Sequence, residues 1–226
     1  MQLPDFRPFR VLASGCVALF LCVVSVGAAA QAESDPNLNA QLLVATRQGD
    51  LGRVKALIAR GAVVDSRNRL GKTPLLIACE KGSTDIGIAL IEGKANVELP
   101  SLERVTPLIA ASYSGDVELV RRLLKAGAKV DAVDHMNKSA SVYAAGQGHA
   151  GVLELLLTAG GVDVNAAYEH KLTLLMWAAG QGQADALKLL LARGAKPELR
   201  DDRGMTALDI ARATGQGEVA QTAGLH

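Results

Sequence analysis

Apolar residues recur along this chain in short helical stripes, each closed by a glycine. Between Asp116 and Gly127, the residues Val120, Leu123 and Leu124 stand at the i, i+3, i+4 spacing of one buried helix face. Earlier, Leu75 and Ala78 lie on the inward side of a shorter stretch that Thr73-Pro74 opens and Gly82 closes. Thr73 is placed to N-cap that helix, its hydroxyl oxygen accepting from an orphan backbone N–H. Pro74 fits the first helical position, where a missing N–H costs nothing. Gly127 is the left-handed residue that ends the longer helix. The pattern predicts a unit of turn, short helix, glycine, longer helix, glycine.

The unit repeats. Thr73-Pro74-Leu75 returns 33 residues later as Thr106-Pro107-Leu108, and the phase continues at Ser139, slips by one to Thr173 and reaches Thr206. A second marker keeps step through Gly49, Gly82, Gly115, Gly148, Gly182 and Gly215. The slip falls in Gly160-Gly161-Val162-Asp163-Val164-Asn165, one residue longer than Gly127 to Asp131 and outside any predicted helix. Six units result: 35–67, 68–100, 101–133, 134–167, 168–200 and 201–226. One such unit cannot bury its apolar stripe alone, so the units must stack. A period of 33 with Thr-Pro-Leu resembles the ankyrin repeat family. Thr173-Leu174-Leu175-Met176-Trp177-Ala178-Ala179 and Thr206-Ala207-Leu208-Asp209-Ile210-Ala211 resemble variants common in bacterial members. The resemblance covers residue 38 to the end. It implies an all-α solenoid of stacked helix-turn-helix units with short β-turn or hairpin connections.

Departures from the family pattern are informative. The histidine after Thr-Pro-Leu is absent; Leu76, Ile109, Val142, Met176 and Asp209 fill that column. Lys94 stands where the terminal glycine belongs, and Gly87 replaces an apolar residue of its helix. Ser141 occupies a column otherwise held by Leu42, Leu75, Leu108, Leu175 and Leu208. The second helix of unit two and the first helix of unit four are therefore the expected soft spots, and Ser141→Leu is expected to be neutral or stabilising. Gln221-Thr222 replaces a Leu pair in the last unit, which suits a capping repeat facing water.

Residues 1–32 are different material. Arg7 and Arg10 precede an uncharged, largely apolar run from Val11 to Ala30, which ends in Ala28-Ala29-Ala30-Gln31-Ala32. A basic start, an apolar middle and small-residue sites after Ala30 and Ala32 make a secretory signal peptide. The run is also near the ~20 residues that span a bilayer, so an uncleaved inner-membrane anchor is the alternative. A lipoprotein signal at Cys16 fails, because only Val11 to Gly15 would remain as its apolar region. Export predicts a periplasmic location, with membrane contact only if the segment is retained. Removing residues 1–32 leaves 22 of the 24 Lys and Arg and 22 of the 23 Asp and Glu. A neutral domain without a basic stripe is a poor nucleic-acid binder. Cys16 and Cys22 leave with the segment. Cys79 alone remains, in a small buried column, and a lone cysteine makes no internal disulfide.

No catalytic constellation emerges. Gly-x-Ser-x-Gly, phosphate-loop, Cys-x-x-Cys and His-Glu-x-x-His motifs are absent. His135 and His170 fall on successive turns about 10 Å apart, too far to share a metal, and no third ligand has zinc spacing. His149 lies in the polar column of Asp50, Ser83, Asp116, Gln183 and Gln216 that starts each second helix and reads as solvated surface. Asn137-Lys138-Ser139 is a formal glycosylation sequon, yet Asn137 occupies the turn position of Gly71 and Gly204, and Asn tolerates left-handed backbone. No cofactor or metal is expected.

Binding residues are read by column. Val44, Ile77, Ala110, Tyr143, Trp177 and Ile210 form an apolar column, so Trp177 and Tyr143 are expected to be mainly core. The column of Arg47, Glu80, Tyr113, Gly146, Gly180 and Ala213 is irregular, which predicts exposure. In the ankyrin family that column, its neighbour and the turns line a concave binding face. Carried onto this chain, the face holds Arg69, Leu70, Lys72, Glu80 and Lys81; then Leu102, Glu103, Val105, Tyr113 and Ser114. It continues with His135, Met136, Lys138 and Gln147; Glu169, His170, Leu172 and Gln181; and Asp202, Arg203 and Met205. Leu102, Val105, Tyr113, Met136 and Leu172 make an apolar middle inside a charged rim, as in protein interfaces. The resemblance implies a non-catalytic, monomeric interaction module for a protein partner, acting as a scaffold or assembly factor. An inhibitor or immunity protein blocking a secreted enzyme is the alternative, and a hydrolase with an unrecognised site a more distant one.

Overall fold

A computed structural model describes residues 36–159 and 161–225. The segment assigned to export, residues 1–32, lies outside them. The described chain carries twelve α-helices: α1 Pro36–Gln48, α2 Leu51–Ala59, α3 Pro74–Glu80, α4 Thr84–Glu92, α5 Pro107–Ser114, α6 Val117–Lys125, α7 Ala140–Gln147, α8 Ala150–Thr158, α9 Leu174–Gly180, α10 Ala184–Ala192, α11 Ala207–Ala213 and α12 Gly217–Thr222. They form six antiparallel pairs. Each first helix packs on the next first helix, and each second on the next second, which makes the expected all-α solenoid. An isolated bridge between Val133 and Ser139 is the β pairing among the described residues. None of the described helices is long and apolar enough to cross a membrane.

The repeat markers act as their chemistry requires. Thr73, Thr106, Ser139, Thr173 and Thr206 each accept, through the side-chain oxygen, from the backbone N–H three residues on. Asp50 and Asp116 cap the second helices in the same way. Gly127 and Gly194 are left-handed after α6 and α10, and Lys94 adopts the same conformation (φ 69°) after α4. Left-handed backbone disfavours a residue with a Cβ, so unit two carries local strain there. The inserted residue lies beyond α8, which keeps the nine-residue length of its counterparts.

The core runs the length of the stack. Leu42, Leu75, Leu108 and Leu175 are buried, as are Val120, Leu123 and the Cys79 thiol. Burial pushes that thiol well above its ordinary pKa, with Asp116 and Glu80 adding to the shift. The first expected soft spot is a close contact. A Cβ on Gly87 would lie 2.6 and 2.9 Å from the Cδ atoms of Leu119, so the glycine admits Leu119 of the next unit rather than leaving a gap. The second soft spot also needs correction. Ser141 is buried as its column demands, but its Oγ lies 2.9 Å from Ser139 Oγ and 3.1 Å from Tyr168 Oη. The Tyr168 hydroxyl of unit five reaches the small residue of unit four. Leucine at 141 would meet Tyr168 and strand its hydroxyl, so the structure leads us to expect a destabilising rather than a neutral Ser141→Leu.

Candidate functional site

The turns between units project as fingers, each tied at its base. Asn68 Oδ1 accepts from the N–H groups of Leu70 and Lys72. Asp134 Oδ1 does so from Met136 and Lys138, and Asp201 Oδ1 from Arg203 and Met205. A short polar acceptor at this position closes the turn on itself. Burial opposes ionisation of Asp201, yet the Met205 N–H and the N–H and guanidinium of Arg203 outweigh it and hold the carboxyl below its ordinary value. At each finger tip a residue is left-handed: Gly71, Arg104, Asn137 and Gly204. Asn137 thus takes the structural role read from its column.

Neighbouring fingers bond to each other. Leu102 N–H donates to Leu70 C=O, His135 to Glu103, and Asp202 to His170, at 3.1 Å in each case. The equivalent bond from Glu169 to Met136 is missing. Unit five has Tyr168 where its neighbours have Asn, Ser or Asp. Its finger is a short 3-10 turn, Glu169–Lys171, with His170 and Lys171 both left-handed. The finger ladder is therefore interrupted between units four and five.

The residues assigned to the concave face fall into three groups. Leu70, Leu102 and Met136 are exposed at the finger tips, with Leu102 at 70%. Arg69, Glu103, His135, Glu169, His170, Asp202 and Arg203 are exposed there too, and several pair internally. His135 Nδ1 lies 3.1 Å from Glu103, and His170 Nδ1 3.8 Å from Asp202. Arg203 chelates Asp201 at 2.7 and 2.9 Å. The two expected metal-distant histidines thus sit beside separate carboxylates. A second group, Lys72, Val105, Lys138, Leu172 and Met205, is partly buried at the finger bases. The third group comprises the first-helix ends, where Glu80, Lys81, Tyr113, Gln147 and Gln181 are exposed and Ser114 is partly buried, its hydroxyl donating to Ala111 C=O.

Between fingers and helix ends lies a groove that passes the centre of the stack. A hollow of about 320 Å³ is lined by Glu80, Val105, Ile109, Ala110, Tyr113 and Tyr143. Tyr113 is 54% exposed and meets Tyr143 edge-on, ring centroids 5.6 Å apart at 81°. Tyr143 donates to Asp134 Oδ2 at 2.6 Å, which anchors its ring. Burial, followed by that bond to the Asp134 carboxylate, pushes the phenol well above its ordinary pKa.

Here the column reading of Tyr143 and Trp177 is only half right. Ile77 and Ala110, in the same column, are buried; the two aromatic rings are larger than the slot and extend into the groove, half-buried. They join the site, and their size was the signal available in the sequence. Ile109 and Ala110 also reach the hollow, a contribution their regular apolar columns concealed. His149 departs from its reading as well. It does not cap α8; its Nε2 lies 3.0 Å from Tyr113 C=O in the preceding unit, and Gln183 donates likewise to Gly146 C=O at 3.2 Å. These side chains tie adjacent units together at the groove's edge.

Comparison with known proteins agrees with this geometry. A family profile described as ankyrin repeats (three copies) matches residues 42–134 and 141–222. The ankyrin repeat protein YahD of Escherichia coli (strain K12) is 30% identical over 190 residues, covering 82% of this chain and 94% of its own. The crystal structure of EF0377, an ankyrin repeat protein, superposes with a TM-score of 0.73 at 29% identity, covering 83% of this chain and 98% of that one. Matching in profile, sequence and architecture over most of its length, the chain belongs to the ankyrin repeat family.

Proposed function

We propose that this chain is exported and binds a protein partner in the periplasm through its concave groove, as a non-catalytic scaffold or assembly factor. Ankyrin repeats are protein-interaction modules, and the observation that carries the finer reading is the Tyr113–Tyr143 hollow. An exposed aromatic at the centre of a patch, beside a preformed apolar pocket and inside a charged rim, is the usual anatomy of a binding hot spot. Export rests on the basic, apolar and small-residue pattern of residues 1–32.

Affinity purification from periplasmic extract tests the reading. Wild-type protein captures a discrete partner, identified by mass spectrometry. Tyr113→Ala with Met136→Ala weakens that capture about tenfold or more, since hot-spot truncations cost ~2 kcal/mol or more. Substituting Lys55 or Lys188, exposed on α2 and α10 away from the fingers, leaves it intact. Capture lost through the lysines and kept by the Tyr113/Met136 variant places the partner on the convex side and rejects the proposal. An inhibitor role would show as nanomolar capture of a secreted enzyme with loss of that enzyme's activity.

A further inference from the structure

Lys72 and Lys138 occupy the same phase of the repeat, two units apart. In unit two the ammonium of Lys72 is clamped by Glu80, 2.7 and 2.9 Å from its two carboxylate oxygens. Glu80 stands eight residues further on, at the end of α3. In unit four the same step of eight reaches Gly146. Lys138 lacks the internal carboxylate of its counterpart, and among the described residues no other acid pairs with it. Its ammonium lies instead 4.8 Å from the Trp177 ring centroid and 5.8 Å from that of Tyr143.

Neither backbone conformation nor crowding requires glycine at 146. Its φ is not left-handed, and a Cβ built there meets nothing within 4 Å. The space that a glutamate would enter opens onto a hollow of about 160 Å³ lined by Lys138, Tyr143, Gly146, Gln147, Trp177 and Gln181. The aromatic rings hold the cation in place and strip part of its water, which strengthens its attraction for an anion. Two glutamine amides, of Gln147 and Gln181, line the hollow and can donate to such an anion. The site balances one negative charge: a single ammonium faces it, and the buried Asp134 carboxylate lies behind Tyr143, disfavouring a dianion. The missing Glu169–Met136 bond leaves the fingers unjoined at this same junction.

We infer that this hollow is a carboxylate subsite of the groove, in which an Asp or Glu side chain of the protein partner takes the place that Glu80 fills in unit two. It rests on the concave-face reading above and deepens it: the partner segment carries an acidic residue beside an apolar one, the latter entering the Tyr113–Tyr143 hollow.

The probe is a displayed library of random linear peptides, selected on protein produced from the full-length chain. Selected peptides carry Asp or Glu at a fixed offset from an apolar residue. Their affinity falls about tenfold or more on Lys138→Gln, as for other lost buried charge pairs, and is largely kept on Lys138→Arg. Gly146→Glu, which supplies the carboxylate in cis, gives the same loss while the melting temperature is held or raised. Peptides that need Tyr113 but show no acidic preference, or that bind Gly146→Glu as well as wild type, overturn the subsite and leave the groove standing. A selection yielding no peptide sensitive to Tyr113→Ala overturns both.

Discussion

Gly87→Ala should destabilise the protein although it removes a glycine from the middle of a helix. In an unobstructed helix the change to alanine gains ~0.5–1 kcal/mol through lost unfolded-state freedom and better propensity. At this position the new methyl would sit 2.6 Å from Leu119 Cδ1 and 2.9 Å from Cδ2. Leu119 is fully buried, so it has no open space to rotate into. Overpacking of this kind costs ~1–3 kcal/mol, and the net effect is a loss of about 1 kcal/mol. Truncating the partner inverts the sign. Leu119→Ala alone costs ~2–5 kcal/mol, but in that background Gly87→Ala meets no methyl groups and recovers the ~0.5–1 kcal/mol helix gain. The coupling between the two sites is then ~1–3 kcal/mol. Urea unfolding followed by circular dichroism measures it, provided the slope with denaturant stays constant across the four proteins. Additive effects, or a stabilising Gly87→Ala in the wild-type background, would refute the close contact and restore the soft-spot reading of this helix.

Ser141→Leu should cost ~1–3 kcal/mol by overpacking against Tyr168, and thermal melting that shows it neutral would mean that the ring does not fill that space. Leu123→Ala, in the buried stripe of a central unit, should cost ~2–5 kcal/mol in urea unfolding. The last unit should loosen first in acid. The N–H of Thr206, then its hydroxyl, hold the Asp209 carboxyl below its ordinary value, so the stability this group contributes is present above the ordinary value and is lost as pH falls through the depressed one. Amide exchange in α11 should accelerate over that range in wild type and lose this pH dependence in Asp209→Asn. Mature protein should begin at Gln31 or Glu33 and appear in the osmotic-shock fraction, and full-length chain found only in washed membranes would replace export by anchoring.

The period, the caps and the leucine columns were legible because each is a local requirement repeated in register. Thr73 needs only its own helix to act as a cap, and the leucine of the Leu75 column recurs in every first helix but α7, where Ser141 stands. The misread positions are compensations between different columns of adjacent units. Gly87 answers to Leu119, and Ser141 to Tyr168; neither partner shares a column with the residue it accommodates, so column comparison sees only an anomaly. Trp177, which packs partly buried against the core, was only half legible for a related reason. A column records which slot a residue enters but not whether its volume fits, and a ring that overfills the slot becomes groove surface. The exposed Tyr113 was legible because its column is irregular, which is what a surface free of packing constraints looks like.

Photo-crosslinking tests the central claim most directly, that a protein partner sits in the concave groove. A photoreactive phenylalanine analogue replaces Tyr113 in one protein and Lys188 in another, and cells exporting each are irradiated. One discrete crosslinked protein is expected from position 113 and none from position 188. Crosslinks from 188 with none from 113 would contradict that claim.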